Sequence, residues 1–157
     1  MKVLYFLNIF WSLYGNVSEQ CQTMEDNPVH WFFSATKINE TEYVLFADAI
    51  IDKDWHLYCR SQFIKSDDLV FPEITFYPND DIEIAGFINE IGEPETIKSE
   101  LIGININIFN NKVTYNTIAF KKSSKQSVSV KGEINYVACT KSKCINPSPK
   151  EFEFILN

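Results

Sequence analysis

The sequence predicts an all-β protein, a single antiparallel sandwich or barrel of short strands. Apolar and polar residues alternate with period two along most of the chain, the pattern of a strand with one buried face. The composition points the same way: 13 Phe, 7 Tyr and 3 Trp are residues that pack well on a pleated surface. Turn residues punctuate these stretches at short intervals, and no segment shows a convincing amphipathic helical period. A length of 157 residues suits one domain able to bury a core unaided.

The first 20 residues stand apart. Met1-Lys2 precedes an apolar run to Tyr14, interrupted by Asn8 and Ser12 and followed by Gly15 and Ser18. A positive start, a short apolar core and small residues after it are the pattern of a secretory signal peptide. We therefore expect residues 1–20 to be a leader and 21–157 to be the exported domain, in an oxidising compartment. The run is too short for a membrane span, and no later stretch approaches that length. Cys21 follows segment 17–20, which is too polar and charged for a lipid-attachment signal.

The predicted strands then follow in order. Trp31–Ile38 is closed by Asn39-Glu40, and Thr41–Ile51 by Asp52-Lys53-Asp54. Trp55–Tyr58 begins a third strand. Ile74–Tyr77 runs into Pro78-Asn79-Asp80, a strong turn signal. Ile82–Phe87 and Ile104–Phe109 alternate cleanly. Asn110-Asn111 predicts a hairpin turn into Lys112–Phe120, since Asn tolerates the left-handed backbone of tight turns. Val128–Ala138 and Glu151–Ile155 complete the set. Between them Gly92–Glu100 lacks strand character and reads as a loop, the element that most often carries function on a rigid sandwich.

A net charge of −7 without a basic stripe argues against a nucleic-acid surface. The five glycines are scattered singly, so no phosphate-binding loop is present. Chemistry centres instead on Cys139 and Cys144, which end the strand Val128–Ala138 with four residues between them. Zinc is a poor fit for this pair, because Cys21, Cys59, His30 and His56 offer no second pair at metal spacing. No cofactor is expected. A nucleophilic hydrolase is weaker still, with no such signature around either cysteine.

Two readings of the pair remain. Small exported domains use short disulfides as staples, but closing a ring of about six residues contributes only about 2 kcal/mol of chain entropy. A redox pair is the other, favoured by the small return and by Lys141 and Lys143 in the loop, which would support a thiolate. The residues alone leave the two equally open.

A resemblance bears on the choice. Val29-His-Trp-Phe-Phe-Ser34, Trp55-His-Leu-Tyr58 and Gly132-Glu-Ile-Asn-Tyr-Val-Ala-Cys139 with Cys144 and Pro147 resemble, in that order, the N-terminal periplasmic domain of DsbD-type thiol:disulfide interchange proteins, especially the version of Bacteroidetes-like bacteria. The resemblance runs from Pro28 to Ile155. It implies an immunoglobulin-like sandwich in the periplasm, or otherwise outside the cytoplasm, whose cysteines carry electrons in pathways such as cytochrome c biogenesis. Its implied partners are thioredoxin-like and membrane electron-transfer proteins on one side and periplasmic disulfide-containing proteins on the other, with the domain itself a monomer. Cys144 would form the mixed disulfide and Cys139 would resolve it. A cap loop over the pair would map to residues 93–103, its tip at Ser99-Glu100-Leu101-Ile102-Gly103, and His56 and Tyr58 would neighbour the cysteines.

The sequence departs from that family in places. Leu101 and Ile102 replace an aromatic cap residue, and Ser99 stands at an acidic position, leaving Glu100 as the nearby carboxylate. Asn146-Pro147 replaces Pro-Pro, and the membrane and thioredoxin-like domains are not in this sequence. The residues by themselves favour packing for Tyr58 and an exposed position for His56. Alternation sends Cys59 to the opposite face, as a buried free thiol, while spacing alone leaves a Cys21–Cys59 bridge open. The alternative for the whole chain is a non-catalytic binding or adhesion module in which Cys139–Cys144 is a permanent staple.

Overall fold

The computed structural model describes residues 27–62, 69–100 and 103–157, so the expected leader at 1–20 and Cys21 lie outside the described residues. Among the described residues there are strands and no helix. In chain order they are β1 (Val29–Lys37), β2 (Glu42–Ile51), β3 (Leu57–Tyr58), β4 (Glu73–Phe76) and β5 (Ile82–Ile84). Next come β6 (Asn89–Ile91), β7 (Glu95–Lys98), β8 (Asn105–Phe109) and β9 (Lys112–Lys121). The chain ends with β10 (Val128–Asn135), β11 (Ala138–Cys139), β12 (Cys144–Ile145) and β13 (Lys150–Leu156). Every pairing is antiparallel.

The molecule is an all-β, immunoglobulin-like sandwich, as the alternation and the resemblance led us to expect. One sheet has the order β1-β2-β9-β5, with β6 also on β9, and the facing layer includes β13-β10-β4. The alternation explains why they stack. Trp31, Tyr43, Leu45, Ala47 and Ala49 turn inward from β1 and β2, and meet Val130, Ile134, Phe152 and Phe154 from the other sheet. Rings lock the contact: Phe33 lies 5.2 Å from Phe152, and Trp31 5.4 Å from Tyr136. Burying such side chains contributes roughly 1.5–3 kcal/mol each, and this layer is the molecule's main source of stability. Gly132 is required where β10 runs between β4 and β13. A Cβ there would stand 2.2 Å from the Thr75 carbonyl oxygen and 2.4 Å from the Phe152 ring.

A third group, β3-β8-β7, extends the facing layer. Its inner face gives Leu57, Cys59 and Phe109 to the main core, while its outer face carries Tyr58, Ile106 and Ile108 into a smaller cluster with Cys139 and Leu69. Two expectations need correction here. Residues 92–100 are not all loop: β7 pairs with β8 from Glu95↔Ile108 to Lys98↔Asn105. The signal was faint because this is an edge strand in which only Ile97 is half-buried, so period two has almost no apolar residues to show itself. The 93–103 cap loop therefore shrinks to the tip of the β7–β8 hairpin.

Asn110-Asn111 does turn the chain, with Asn111 at φ 64° and the Lys112 amide donating to the Asn110 carbonyl at 2.7 Å. It does not make a hairpin, since β8 pairs with β3 and β7 while β9 pairs with β2, β5 and β6. The turn passes the chain from one layer of the sandwich to the other. Val128–Ala138 is likewise not one strand: β10 ends at Asn135, and Tyr136, whose hydroxyl donates to the Asn27 side chain at 2.7 Å, separates it from β11.

Candidate functional site

β11 and β12 form a small hairpin of their own, with Cys139 directly opposite Cys144 and Ala138 opposite Ile145. Thr140 builds the turn between them. Its amide donates to the Lys143 carbonyl at 2.7 Å, and its hydroxyl oxygen accepts from the amides of Ser142 and Lys143 at 3.3 and 3.2 Å. A threonine that bonds the backbone ahead of it is a common way to close so short a loop. The hairpin is also pinned from outside, because the Lys143 ammonium sits 5.2 Å from the centroid of the Trp55 ring. That placement commits one of the two loop lysines to an aromatic face. Lys141 is exposed and lines the neighbouring cleft.

Cys139 and Cys144 are joined by a disulfide. The two sulfurs belong to residues in contrasting settings. Cys139 is 1% exposed within the cluster of Tyr58, Ile106 and Ile108, whereas Cys144 is exposed. β11 is the inner strand of the hairpin, hydrogen-bonded to the body of the protein, so its cysteine is covered.

The tie to the body is His56. Its amide donates to the Cys139 carbonyl at 2.8 Å, and the Cys139 amide donates to the His56 carbonyl at 3.0 Å. This exchange makes His56 and Cys139 directly opposed residues of one ladder. Side chains of opposed residues share a face, so His56, Cys139 and Cys144 form a row across three consecutive strands. Tyr58, two residues on from His56, joins that face, with the two rings 5.6 Å apart.

Burial sets the protonation of the row. His56 is 6% exposed, not the exposed strand histidine that its residue type favoured, and desolvation lowers its pKa. It is therefore neutral near pH 7. Desolvation also raises the pKa of Tyr58, which packs in the cluster. The two rings border a cleft of about 340 Å³, whose other lining includes Ile97, Glu100, Thr140 and Lys141.

Ser99 and Glu100, which follow β7, line this cleft as well. The Ser99 amide donates to the Ile104 carbonyl at 2.9 Å and the Gly103 amide to the Ser99 carbonyl at 2.8 Å. Gly103 has φ +73°, a left-handed turn position for which glycine is the natural residue. Leu101 and Ile102 lie outside the described residues. Glu100, Gly103, His56, Tyr58 and the two cysteines are thus drawn to one end of the molecule from three separate stretches of chain. Sequence reasoning missed Trp55, Thr140 and Ile97 there; the Trp55–Lys143 contact has no sequence signal, since the two are 88 positions apart.

Cys59 is free and 1% exposed, on the face opposite Tyr58. Desolvation, with the charge of Glu90 second, pushes its pKa up to about 12. It faces the main core, and does not belong to the site.

No protein-family model and no curated protein matches this sequence. Among solved structures, it is similar to the N-terminal periplasmic domain of ScsB from Proteus mirabilis, with 16% identity over 85% of this chain and a TM-score of 0.58. The chain spans 47% of the length of that ScsB domain. The N-terminal domain of Neisseria meningitidis DsbD, in its reduced form, matches with 13% identity over 80% of this chain and 83% of that one, at a TM-score of 0.46. The ScsB likeness shows a shared fold.

Proposed function

We propose that this chain is an extracytoplasmic thiol:disulfide exchange domain of the DsbD N-terminal type, working through Cys139 and Cys144. The observation that carries the reading is the asymmetry of the pair: one sulfur is covered and held to the body of the sandwich, the other exposed at the rim. A staple has no need of that arrangement, whereas an exchange centre does, because only one sulfur should meet the partner. The fold shared with a periplasmic ScsB domain supports the location, as does the leader-like N-terminus.

The chemistry follows from the asymmetry. A partner thiolate attacks the Cys144 sulfur and forms a mixed disulfide, while the electron pair of the broken S–S bond leaves on Cys139, which takes up a proton. A second partner thiolate then attacks the partner's own sulfur in that mixed disulfide and releases the Cys144 thiolate. The partner is oxidised to a disulfide and this domain gains two electrons. Delivery runs in reverse: the Cys144 thiolate attacks an acceptor disulfide, and Cys139 resolves the complex. His56, neutral beside Cys139, is the group placed to take the Cys139 proton at that step. The donor fitting this scheme is a thioredoxin-like or membrane electron-transfer protein, and the acceptors are extracytoplasmic proteins with reducible disulfides.

Trapping tests the assignment. A Cys139→Ala variant, incubated with a thioredoxin-like dithiol protein in its disulfide form, should accumulate a covalent adduct on Cys144. Cys144→Ala should give none. The reverse pattern would exchange the two roles. A reduction potential well below about −300 mV, with no adduct on either variant, would mark an inert staple and return the chain to the binding-module reading.

A further inference from the structure

Among the described residues the hairpin has one unpaired edge, and its hydrogen-bond register shows what that edge presents. In an antiparallel ladder a residue's N–H and C=O point to the same side, and successive residues alternate sides. Both backbone groups of Cys139 are spent on His56. Cys139 and Cys144 must therefore be a non-hydrogen-bonded pair, in keeping with their Cα separation of 4.0 Å. It follows that the N–H and C=O of Cys144 point away from β11, outward from the sheet. Among the described residues no backbone group is hydrogen-bonded to them. Cys144 is exposed, as is Asn146, the next residue with the same orientation.

We propose that the free edge of β12 is the docking site for the partner, which adds an extended, cysteine-bearing segment to it as an antiparallel strand. This deepens the exchange reading and rests on it. The occupant is fixed by geometry. A partner residue exchanging both hydrogen bonds with Cys144 lies about 5.5 Å away between Cα atoms, inside the range a disulfide spans. Its side chain shares the face of His56, Cys139 and Cys144, so a cysteine there becomes the fourth member of the row. The S–S bond itself runs from β11 to β12. A thiolate arriving from the far side of β12 approaches the Cys144 sulfur from opposite the Cys139 leaving group, the direction that displacement at sulfur requires. Strand addition to an exposed edge gives affinity through main-chain bonds, so the partner's neighbouring side chains are left free to vary.

The docked thiolate forms a bond to the Cys144 sulfur, and the Cys139 sulfur leaves with the electron pair and is protonated by solvent.

Three synthetic thiols test the proposal on the full chain. They are a capped extended pentapeptide with cysteine at its centre, the same peptide N-methylated at that cysteine so that the methyl group blocks the edge, and 2-mercaptoethanol, which has no backbone to pair; each stability is referred to the same thiol's mixed disulfide with glutathione. With Cys139→Ser, the mixed disulfide between Cys144 and the pentapeptide should be about tenfold more stable than those with the other two, from two added hydrogen bonds. The Cys144 amide should exchange with solvent more slowly by a similar factor only in the pentapeptide adduct. The oxidised wild-type chain, opened by the three thiols at matched thiolate concentration, should show the same ranking and guards against a variant that fails to fold. Equal stability and equal rates for all three, with attack still on Cys144, would overturn strand docking and leave the exchange function standing. Attack by none of them on Cys144 would remove both.

Discussion

The sandwich core and the β11–β12 hairpin hold sulfur under opposite conditions. In the core, Cys59 is enclosed among Leu57, Phe109 and the residues of β9, and desolvation pushes its thiol up to about 12, so it is uncharged at any physiological pH. At the hairpin, Cys144 is exposed and is bonded to a covered neighbour. The same element is inert in one place and available in the other. The difference lies in layering: Cys59 is on the face of β3–β8 that meets the other sheet, whereas Cys139 and Cys144 follow the outer face, where a small cluster covers Cys139 and leaves Cys144 exposed.

If that comparison is right, the two regions should contribute unequally to stability. Phe152→Ala removes a ring that packs on Phe33, Phe76 and Phe154, and should cost about 3–5 kcal/mol in denaturant unfolding. Reducing Cys139–Cys144 should cost about 2 kcal/mol, the return on its short ring, and leave the native fold in place. A loss from reduction as large as that from Phe152→Ala would invert the comparison and make the pair a staple.

A smaller effect separates the regions by pH. His56 has its pKa lowered by burial, so below about pH 6.5 the unfolded chain takes up a proton that the folded chain resists. The unfolded state then binds more protons, and stability falls as the pH drops from about 6.5 toward the lowered folded value. It is unaffected by this group above about 6.5. Melting temperatures measured at about pH 7.5 and about pH 5.5 should therefore fall less in His56→Gln than in the parent. An equal fall in both would mean that His56 is not held neutral in the folded protein.

Much of this fold could be read in the sequence because period-two alternation is strong wherever a strand lies over the core. β2, β9 and β10 each show it almost unbroken, since one face of each is buried. β7 escaped notice for the opposite reason: an edge strand over a cleft buries too little to leave a pattern. Sheet switching at Asn110-Asn111 was equally hidden, because the same residues serve a hairpin turn and a crossing between layers.

What the sequence determined by itself was the all-β class, the inward face of each long strand, the burial of Cys59, and the presence of two cysteines close enough to bond. These depend on local periodicity and on short separations along the chain. Only the tertiary structure decided which of the two sulfurs is covered, that His56 is buried beside it, and that the backbone groups of Cys144 point away from β11. Those properties depend on how β11 is hydrogen-bonded to His56, a residue 83 positions earlier in the chain. A ladder register between distant segments has no local signature, yet it sets the direction in which every backbone group of the hairpin points.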